Sequence, residues 1–230
     1  MRPRFGGASL VVGSAPALLV RFSSTFTVRA EMGLTLVELP TGTVTFLFTD
    51  LEGSTRLWEA HPEAMKGTLA RHDEILRDAV EGHGGHVVKM TGDGLHAAFQ
   101  LPLDAVAAAV AGQLMCAREE WPISEPLRVR MGIHTGVVED RDGDYFGSAV
   151  NRAARVMGVA HGGQILVSQT SQELLRDQLA DGTALLDLGE LRLRDLSRPE
   201  RVFQLVADGL EDVFPPVRSL EAFPGTCHRS

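Results

Sequence analysis

Two aspartates lie where the chain is predicted to change direction. Asp50 follows residues 43–49, a run of β-branched and aromatic residues that predicts a buried strand, and Asp93 lies in the turn-forming segment 91–94. Carboxylates at strand ends can hold a hard divalent cation such as Mg²⁺, which prefers oxygen ligands and substrate phosphates. Aspartates at such positions also often do no more than form turns. Each residue taken alone therefore leaves both interpretations open.

Small and hydroxyl residues follow Asp50 at Gly53, Ser54 and Thr55. They predict a turn and the start of a helix. Backbone N–H groups at a helix start carry partial positive charge and can bind a polyphosphate. The segment after the first strand is therefore a candidate phosphate site beside the candidate metal ligand.

A second pair of candidate residues lies on one predicted helix. Asn151 and Arg155 are four residues apart and share a helix face, and Ala153 and Ala154 would let that helix pack closely. An amide can orient a hydroxyl group, and a guanidinium can bind phosphate with two parallel hydrogen bonds. A solvated amphipathic helix is the alternative interpretation. Arg152 is predicted to be a surface residue.

The elements that must position these residues follow in the order β-α-β-β-α-β and then α-β-α-β-β. Residues 86–90 and 95–99 flank an Asp-Gly turn and predict a hairpin. Thr170 and Glu173 predict a capping box for a late helix. The order predicts an α+β fold with a ferredoxin-like βαββαβ core, extended by a C-terminal helix and strands.

The composition excludes several classes of protein. The 230 residues include 22 basic and 30 acidic side chains, a net charge of −8 that argues against binding to a nucleic-acid backbone. No apolar run reaches 18 residues, so no membrane-spanning helix and no membrane partner are expected. Two cysteines, Cys116 and Cys227, make neither a disulfide framework nor a cysteine zinc site. We expect a cytoplasmic protein.

The two ends differ from the middle of the chain. Residues 1–30 contain four arginines and no acid around the apolar stretch 8–20, which weakly resembles a signal peptide interrupted by Pro16. We predict that residues 1–40 are a disordered extension or a start assigned too early, with Met32 as a plausible native start. Residues 41–212 form the predicted domain, and 213–230, which contain Pro215 and Pro216, are predicted to be a tail or linker remnant.

Four segments together resemble one family. They are 48–55 (FTDLEGST), 89–94 (KMTGDG), 132–136 (GIHTG) and 150–155 (VNRAAR), in that order. The set resembles the catalytic domain of class III nucleotide cyclases, the adenylate/guanylate cyclase family, over about residues 43–206. The tail resembles the join to further domains in bacterial members that are multidomain transcriptional regulators. The resemblance implies the class III cyclase variant of the fold above.

The resemblance also implies an activity and a set of roles. ATP would be converted to 3′,5′-cyclic AMP and pyrophosphate with two Mg²⁺ or Mn²⁺ ions. The implied metal ligands are Asp50, Asp93 and the backbone carbonyl of Leu51, with Gly53, Ser54 and Thr55 near the phosphates. The other implied roles are adenine reading by Lys89 and Asp144, ribose orientation by Asn151, transition-state stabilisation by Arg155 and triphosphate binding by Arg194, with Arg192 as the alternative.

The same resemblance implies a homodimer with shared active sites, in which one subunit supplies the metal ligands and the other the purine and transition-state residues. The Lys89 and Asp144 pair favours adenine, since guanylate cyclases tend to carry Glu and Cys there. A non-catalytic nucleotide-binding regulatory module with the same fold is the alternative function. A cyclic-dinucleotide synthase has less support, because its Gly-Gly-Asp/Glu-Glu-Phe stretch does not occur.

Overall fold

The structure of the protein, a computed structural model, describes residues 39–141 and 144–218, with 139–141 and 144 described by their backbone alone. The predicted extension up to residue 38 and the predicted tail beyond residue 218 lie outside the described residues. The strands are β1 (Thr43–Leu51), β2 (His86–Met90), β3 (Leu95–Phe99), β4 (Val129–Val137), β5 (Glu139–Arg141), β6 (Asp144–Phe146), β7 (Ile165–Ser168), β8 (Thr183–Leu191) and β9 (Glu200–Ala207), and the helices are α1 (Ser54–Ala60), α2 (Pro62–Glu81), α3 (Pro102–Arg118), α4 (Ser148–Gly158) and α5 (Gln169–Leu175).

Seven of these strands form one sheet in the order β2-β3-β1-β4-β7-β9-β8, and β5 pairs with β6 in a separate hairpin. All neighbours in the large sheet are antiparallel except β4 and β7, which are parallel. The part β2-β3-β1-β4 with α2 and α3 is the βαββαβ core, and α5, β7, β9 and β8 extend it. The predicted α+β fold with its ferredoxin-like core is confirmed.

One face of the sheet carries the larger apolar core. Leu47 and Leu51 of β1 are buried there with Leu76 of α2 and Val106 of α3. Successive strand residues point to opposite faces of a sheet, so Asp50 points away from the face on which Leu47 and Leu51 are buried. The burial pattern of β1 thus decides where the candidate metal ligand lies.

Helix α4 covers that other face and packs closely on β4. A side chain at Gly136 would lie 2.7 Å from the Cβ of Ala149, and one at Gly132 would meet the backbone of Met157. Ala149 and Ala153 lie on the side of α4 that faces the sheet, and both are buried. The prediction of close packing through small residues is confirmed for Ala153, and the two strand glycines supply the complementary surface.

The structure differs from the predicted elements at three points. The first helical region is two helices, α1 and α2, since Pro62 suits a first helical turn and not a helix interior. The loop before α4 contains the β5–β6 hairpin. The predicted Thr170 capping box is wrong, because Thr170 lies inside α5, which begins at Gln169, and Ser168 caps the helix by accepting a hydrogen bond from the backbone N–H of Ser171.

The described part of the predicted tail lies against the domain. The ring of Phe214 stacks on His161, and the Arg218 backbone N–H donates to the Val159 carbonyl at 3.2 Å. The Arg218 guanidinium also pairs with Glu52, close after Asp50 in the chain. Within residues 39–218 as described, no helix combines the length and apolar character needed to cross a membrane.

Candidate active site

Asp50 is held by a cation from the neighbouring strand. It lies directly opposite Arg130 in the β1–β4 register. The Arg130 Nε donates to Asp50 Oδ2 at 2.6 Å, and its Nη2 bonds to the same oxygen. Both side chains are less than a quarter exposed. Sequence reasoning did not single out Arg130, although its position two residues before Gly132 of the GIHTG segment was an available signal.

Asp93 lies in the tight β2–β3 turn, which is docked against the end of β1. The Thr91 N–H donates to the Gly94 carbonyl at 2.8 Å and closes the turn. The Leu95 N–H donates to Thr49 Oγ1 at 2.9 Å, and Gly94 passes so close to the Thr49 carbonyl that no side chain would fit. The predicted hairpin is confirmed, and it brings the half-buried Asp93 beside the Asp50 end of β1.

The electrostatics of Asp50 reflect both neighbours. Burial raises the pKa of its carboxyl group, the Arg130 hydrogen bond and charge lower it, and the Asp93 charge raises it, with a net upward shift. The two carboxylates are therefore close enough to repel each other. A divalent cation would relieve that repulsion, and carboxylate and carbonyl oxygens are the ligands that Mg²⁺ and Mn²⁺ prefer.

These residues fit a metal with few protein ligands. Leu51, whose carbonyl oxygen is the third expected donor, is the last residue of β1. Within the described ranges, no group of three or more His, Cys, Asp or Glu side chains could hold a metal ion. A site here would therefore depend on two carboxylates, a backbone oxygen and substrate phosphates, which is the usual arrangement for Mg²⁺.

The candidate phosphate segment adopts the predicted turn. Gly53 has a φ of 72° and is itself the N-cap of α1, and no side chain hydrogen-bonds to that helix start. Gly53 and Thr55 are exposed and Ser54 is half-buried. The predicted turn and helix start are confirmed, and Gly53 in the left-handed region makes the turn without a side-chain cap.

Helix α4 presents the second group of candidate residues. Asn151 is exposed, and Arg155 lies one turn further along. The Arg155 Nη2 donates to Asp195 Oδ2 at 2.7 Å, and the Nε of Arg194 lies 3.7 Å from the same oxygen. The structure therefore brings Arg155 and Arg194 together around a carboxylate that sequence reasoning missed. Arg192 is exposed on the same segment.

Arg152 is not the plain surface residue expected from the sequence. Its guanidinium lies 3.2 Å from Glu200, whose side chain is almost fully buried. Burial raises the pKa of Glu200, while Arg152 and the backbone of Gln169 lower it in part. Nearby, the buried His134 bonds Ser168 Oγ through Nδ1 at 2.7 Å. Burial, helped by the charge of Arg152, lowers the pKa of His134 to about 4.

The two residues expected to read the base lie on separate elements. Lys89 on β2 is exposed and lies opposite His96 of β3, whose ring stacks on Phe48 at 4.2 Å. His96 also pairs with Phe48 of β1. Paired residues share a face, and Phe48 and Asp50 are two residues apart on β1, so Lys89 lies on the same face of the sheet as Asp50. Asp144 begins β6, opposite Arg141 of β5, and is described by its backbone alone.

Sequence comparison places this arrangement among known proteins. The family described as "Adenylate and Guanylate cyclase catalytic domain" matches residues 36–205. The chain is 40% identical over 198 residues to the uncharacterised protein Rv0891c of Mycobacterium tuberculosis, a match that spans 85% of this chain and 67% of that protein. An adenylate cyclase of Lachancea kluyveri is 38% identical over 155 residues, covering 56% of this chain and 8% of that protein.

Solved structures agree with the sequence matches. Adenylate cyclases from Trypanosoma brucei, described in their monomeric state, superpose with a TM-score of 0.72 at 30% identity over 79% of this chain and 96% of theirs. The adenylyl cyclase CyaB of P. aeruginosa gives a TM-score of 0.63 at 27% identity, covering 78% of this chain and 97% of that one. Fold, ordered motifs and relatives coincide, and the chain belongs to the adenylate and guanylate cyclase catalytic domain family.

Proposed function

We propose that the protein is an adenylate cyclase that converts ATP to 3′,5′-cyclic AMP and pyrophosphate. The observation that carries the proposal is the pair of carboxylates, Asp50 and Asp93, which lie within electrostatic range at the end of β1 and in the adjoining turn. Their carboxylate oxygens suit the binding of a nucleoside triphosphate together with divalent cations. The membership of the cyclase family and the relatives named as adenylate cyclases support the same reaction.

The metal side of the reaction rests on Asp50, Asp93 and the carbonyl of Leu51, which would hold two Mg²⁺ or Mn²⁺ ions. When bound, such ions lower the pKa of a coordinated hydroxyl and offset the charge of the phosphates. For this to happen, the Arg130 guanidinium must release Asp50 Oδ2, the oxygen that it now holds.

The group-transfer step is an in-line displacement. The ribose 3′-OH gives its proton to water and its oxygen attacks the α-phosphorus, forming the new P–O bond as the bond to pyrophosphate breaks. Asn151 would orient the ribose and Arg155 would stabilise the charge that builds on the α-phosphoryl oxygens, a kind of contact worth about 10³-fold in rate. Arg194, beside Arg155, would bind the triphosphate.

Choice of the base would rest on Lys89 and Asp144. Lys89 donates to a ring acceptor of adenine, and Asp144 accepts from the exocyclic amine. Guanine presents a carbonyl and a protonated ring nitrogen at the corresponding edge, so the same pair would face unmatched groups. A site built on hydrogen bonds can discriminate by about 10⁴-fold in such a case, because buried polar groups are left unpaired.

We also propose that the active enzyme is a homodimer with two shared sites. The metal-binding group belongs to the end of β1, whereas the arginines belong to α4 and the segment after β8. Two large apolar side chains are exposed in this region: Val137, the last residue of β4, by 76%, and Phe146, the last residue of β6, by 50%. Such exposed apolar residues suit a surface that a second copy covers.

The decisive experiment is a cyclisation assay of the whole protein with Mn²⁺ and with ATP and GTP side by side. We expect cyclic AMP from ATP, much less cyclic GMP, and loss of activity in Asp93→Ala. Asp187→Asn is the matched control, since Asp187 is an exposed carboxylate paired with Arg201 on the far strands. Wild-type protein that makes no more cyclic nucleotide than Asp93→Ala would disprove the proposal.

Base choice needs its own variant. Lys89→Glu replaces a donor with an acceptor and should lower kcat/KM for ATP by orders of magnitude while affecting the weak GTP reaction far less. Equal loss with both nucleotides would contradict the base-reading role of Lys89 and leave the cyclase reaction itself standing.

The alternative is a regulatory module that binds nucleotide without turnover. One observation favours it: Asp50 and Arg155 are both paired within the chain, with Arg130 and Asp195. A confirmed dimer that binds ATP tightly and forms no cyclic AMP would support this function. The retention of Asp50, Asp93, Asn151 and Arg155 together is hard to explain without catalysis.

A further inference from the structure

Asp195 occupies an unusual backbone conformation at the start of the turn between β8 and β9. Its φ is 60°, in the left-handed region that non-glycine residues seldom enter and that Asp and Asn tolerate best. The preceding Leu193 is buried, and the Leu196 N–H donates to the Leu193 carbonyl at 3.3 Å. The buried Leu193 and this hydrogen bond hold the turn in place, and the backbone conformation at Asp195 sets the direction of its side chain.

That side chain lies between two cations. Asp195 Oδ2 accepts a hydrogen bond from Arg155 Nη2 at 2.7 Å and lies 3.7 Å from Arg194 Nε. One carboxylate oxygen therefore faces the two guanidinium groups that the proposed function assigns to the phosphates of ATP. A carboxylate here opposes the binding of a polyanion, because it neutralises part of the charge that would attract it.

We propose that Asp195 is an internal counter-ion that holds Arg155 and Arg194 in the nucleotide-free chain and is displaced by the triphosphate. The inference rests on the proposed function and adds a residue that tunes nucleotide affinity. Asp195 is a positioning residue, since it acts through Arg155 and needs no contact with substrate. ATP carries three or four negative charges near neutral pH and can replace one carboxylate as the partner of both arginines.

The exposure of the three side chains makes the displacement feasible. Arg155 is 41% exposed, Asp195 63% and Arg194 79%, so water and salt screen their attraction. By contrast, the partner of the neighbouring Arg152 is Glu200 of β9, a carboxylate whose side chain is only 7% exposed. Exposed pairs contribute little, so removing the Asp195 charge should strengthen nucleotide binding about two- to fivefold.

The test compares binding in the whole protein. Asp195→Asn keeps tolerance of the left-handed backbone and removes the charge, and Asp195→Gly removes the side chain where glycine fits without strain. Asp187→Asn is the control of matched chemistry. Calorimetry would measure affinity for two probes: inorganic tripolyphosphate, and 3′-deoxy-ATP with Mn²⁺, which lacks the attacking hydroxyl and cannot cyclise.

We expect both Asp195 variants to bind both probes about two- to fivefold more tightly than wild type, with Asp187→Asn unchanged. In an Arg155→Ala background, the gain from Asp195→Asn should shrink, because one of its two cations is gone. Steady-state assays should show a lower KM for ATP with a similar kcat, a split that a purely structural role would not produce.

Three results would overturn the inference. Affinities equal to or below that of wild type in both variants, with unchanged melting temperatures, would exclude a competing counter-ion. A fall in kcat at constant KM would instead make Asp195 a group that orients Arg155 for catalysis. Loss of ATP binding in wild type and variants alike would contradict the proposed function first, and the inference with it.

Discussion

Two ion pairs hold the candidate catalytic charges of this chain, and they are built differently. Asp50 and Arg130 come from adjacent strands, directly opposite in register, and both are largely buried. Arg155 and Asp195 join helix α4 to the turn after β8, and both are substantially exposed. The register of the β1–β4 pairing fixes the position of the first pair. The second pair depends on how helix α4 packs relative to the turn after β8.

The difference suggests a division of labour between the two regions. Strand register leaves little freedom at the β1–β4 end, so the candidate metal site is set by the core of the domain. Helix α4 lies on two strand glycines above a buried polar layer that includes His134 and Glu200, so its position depends on packing. We expect perturbations near α4 to alter catalysis and those near Asp50 to alter metal binding.

The largest effect should come from Arg155→Ala. Without its guanidinium, charge on the α-phosphoryl oxygens is unsupported, and kcat should fall about 10³-fold. Arg155→Lys should recover little, because an ammonium cannot make paired hydrogen bonds. The check is cyclic AMP formation under saturating ATP, with Arg201→Ala as the control. Activity within tenfold of wild type would remove α4 from the catalytic machinery.

The buried His134 beneath α4 should make the stability of the protein depend on pH. Its pKa in the folded chain is about 4, below the ordinary 6.5. Between these two pH values the unfolded chain is protonated at His134 and the folded chain is not. Stability should therefore fall as pH drops from about 6.5 to about 4, by on the order of 3 kcal/mol in total. His134→Gln should flatten that part of the profile in urea unfolding, and parallel profiles would contradict the assignment.

Gly132→Ala tests how closely α4 must approach the sheet. The added methyl group would meet the Met157 backbone, and such overpacking costs about 1–3 kcal/mol. Gly67→Ala on the exposed face of α2 meets nothing within 4 Å and should be slightly stabilising. If the two regions are independent, cyclase activity falls in Gly132→Ala while Mn²⁺ binding does not, as thermal shifts with and without Mn²⁺ would show.

Arg130→Ala should have the smallest effect and should act on the other region. Asp50 loses its strand partner while Asp93 stays nearby, so stability falls by about 1–2 kcal/mol. Mn²⁺ should then raise the melting temperature more than in wild type, since the cation no longer competes with a guanidinium. An equal Mn²⁺ shift in the two proteins would mean that Arg130 does not compete for Asp50.

Several local features could be predicted from the sequence because neighbouring residues determine them. The turn that holds Asp93 has Gly92 in the left-handed region and gives the β2–β3 hairpin. The spacing of Asn151 and Arg155 places both on α4, one turn apart. The ordered motifs then indicated the family, which the comparisons support.

The partners of the candidate residues could not be predicted in the same way. Arg130 lies 80 positions from Asp50 and Asp195 lies 40 from Arg155, so neither contact appears in any local pattern. Arg152 looked like a surface residue for the same reason, because the buried Glu200 that it meets belongs to β9. The roles assigned to the metal-binding, base-reading, ribose and transition-state residues, and the dimer that would join them, stay predictions.

The sequence by itself determined most of the elements, their order along the chain and the identities of the groups that could do chemistry, since these depend on residue type and short spacing. Tertiary structure alone decided which charge faces which, because strand register and the seating of α4 bring distant residues within a few ångströms. Coulomb interactions act through space and not along the chain, so the charge balance of this site exists only once the fold has formed.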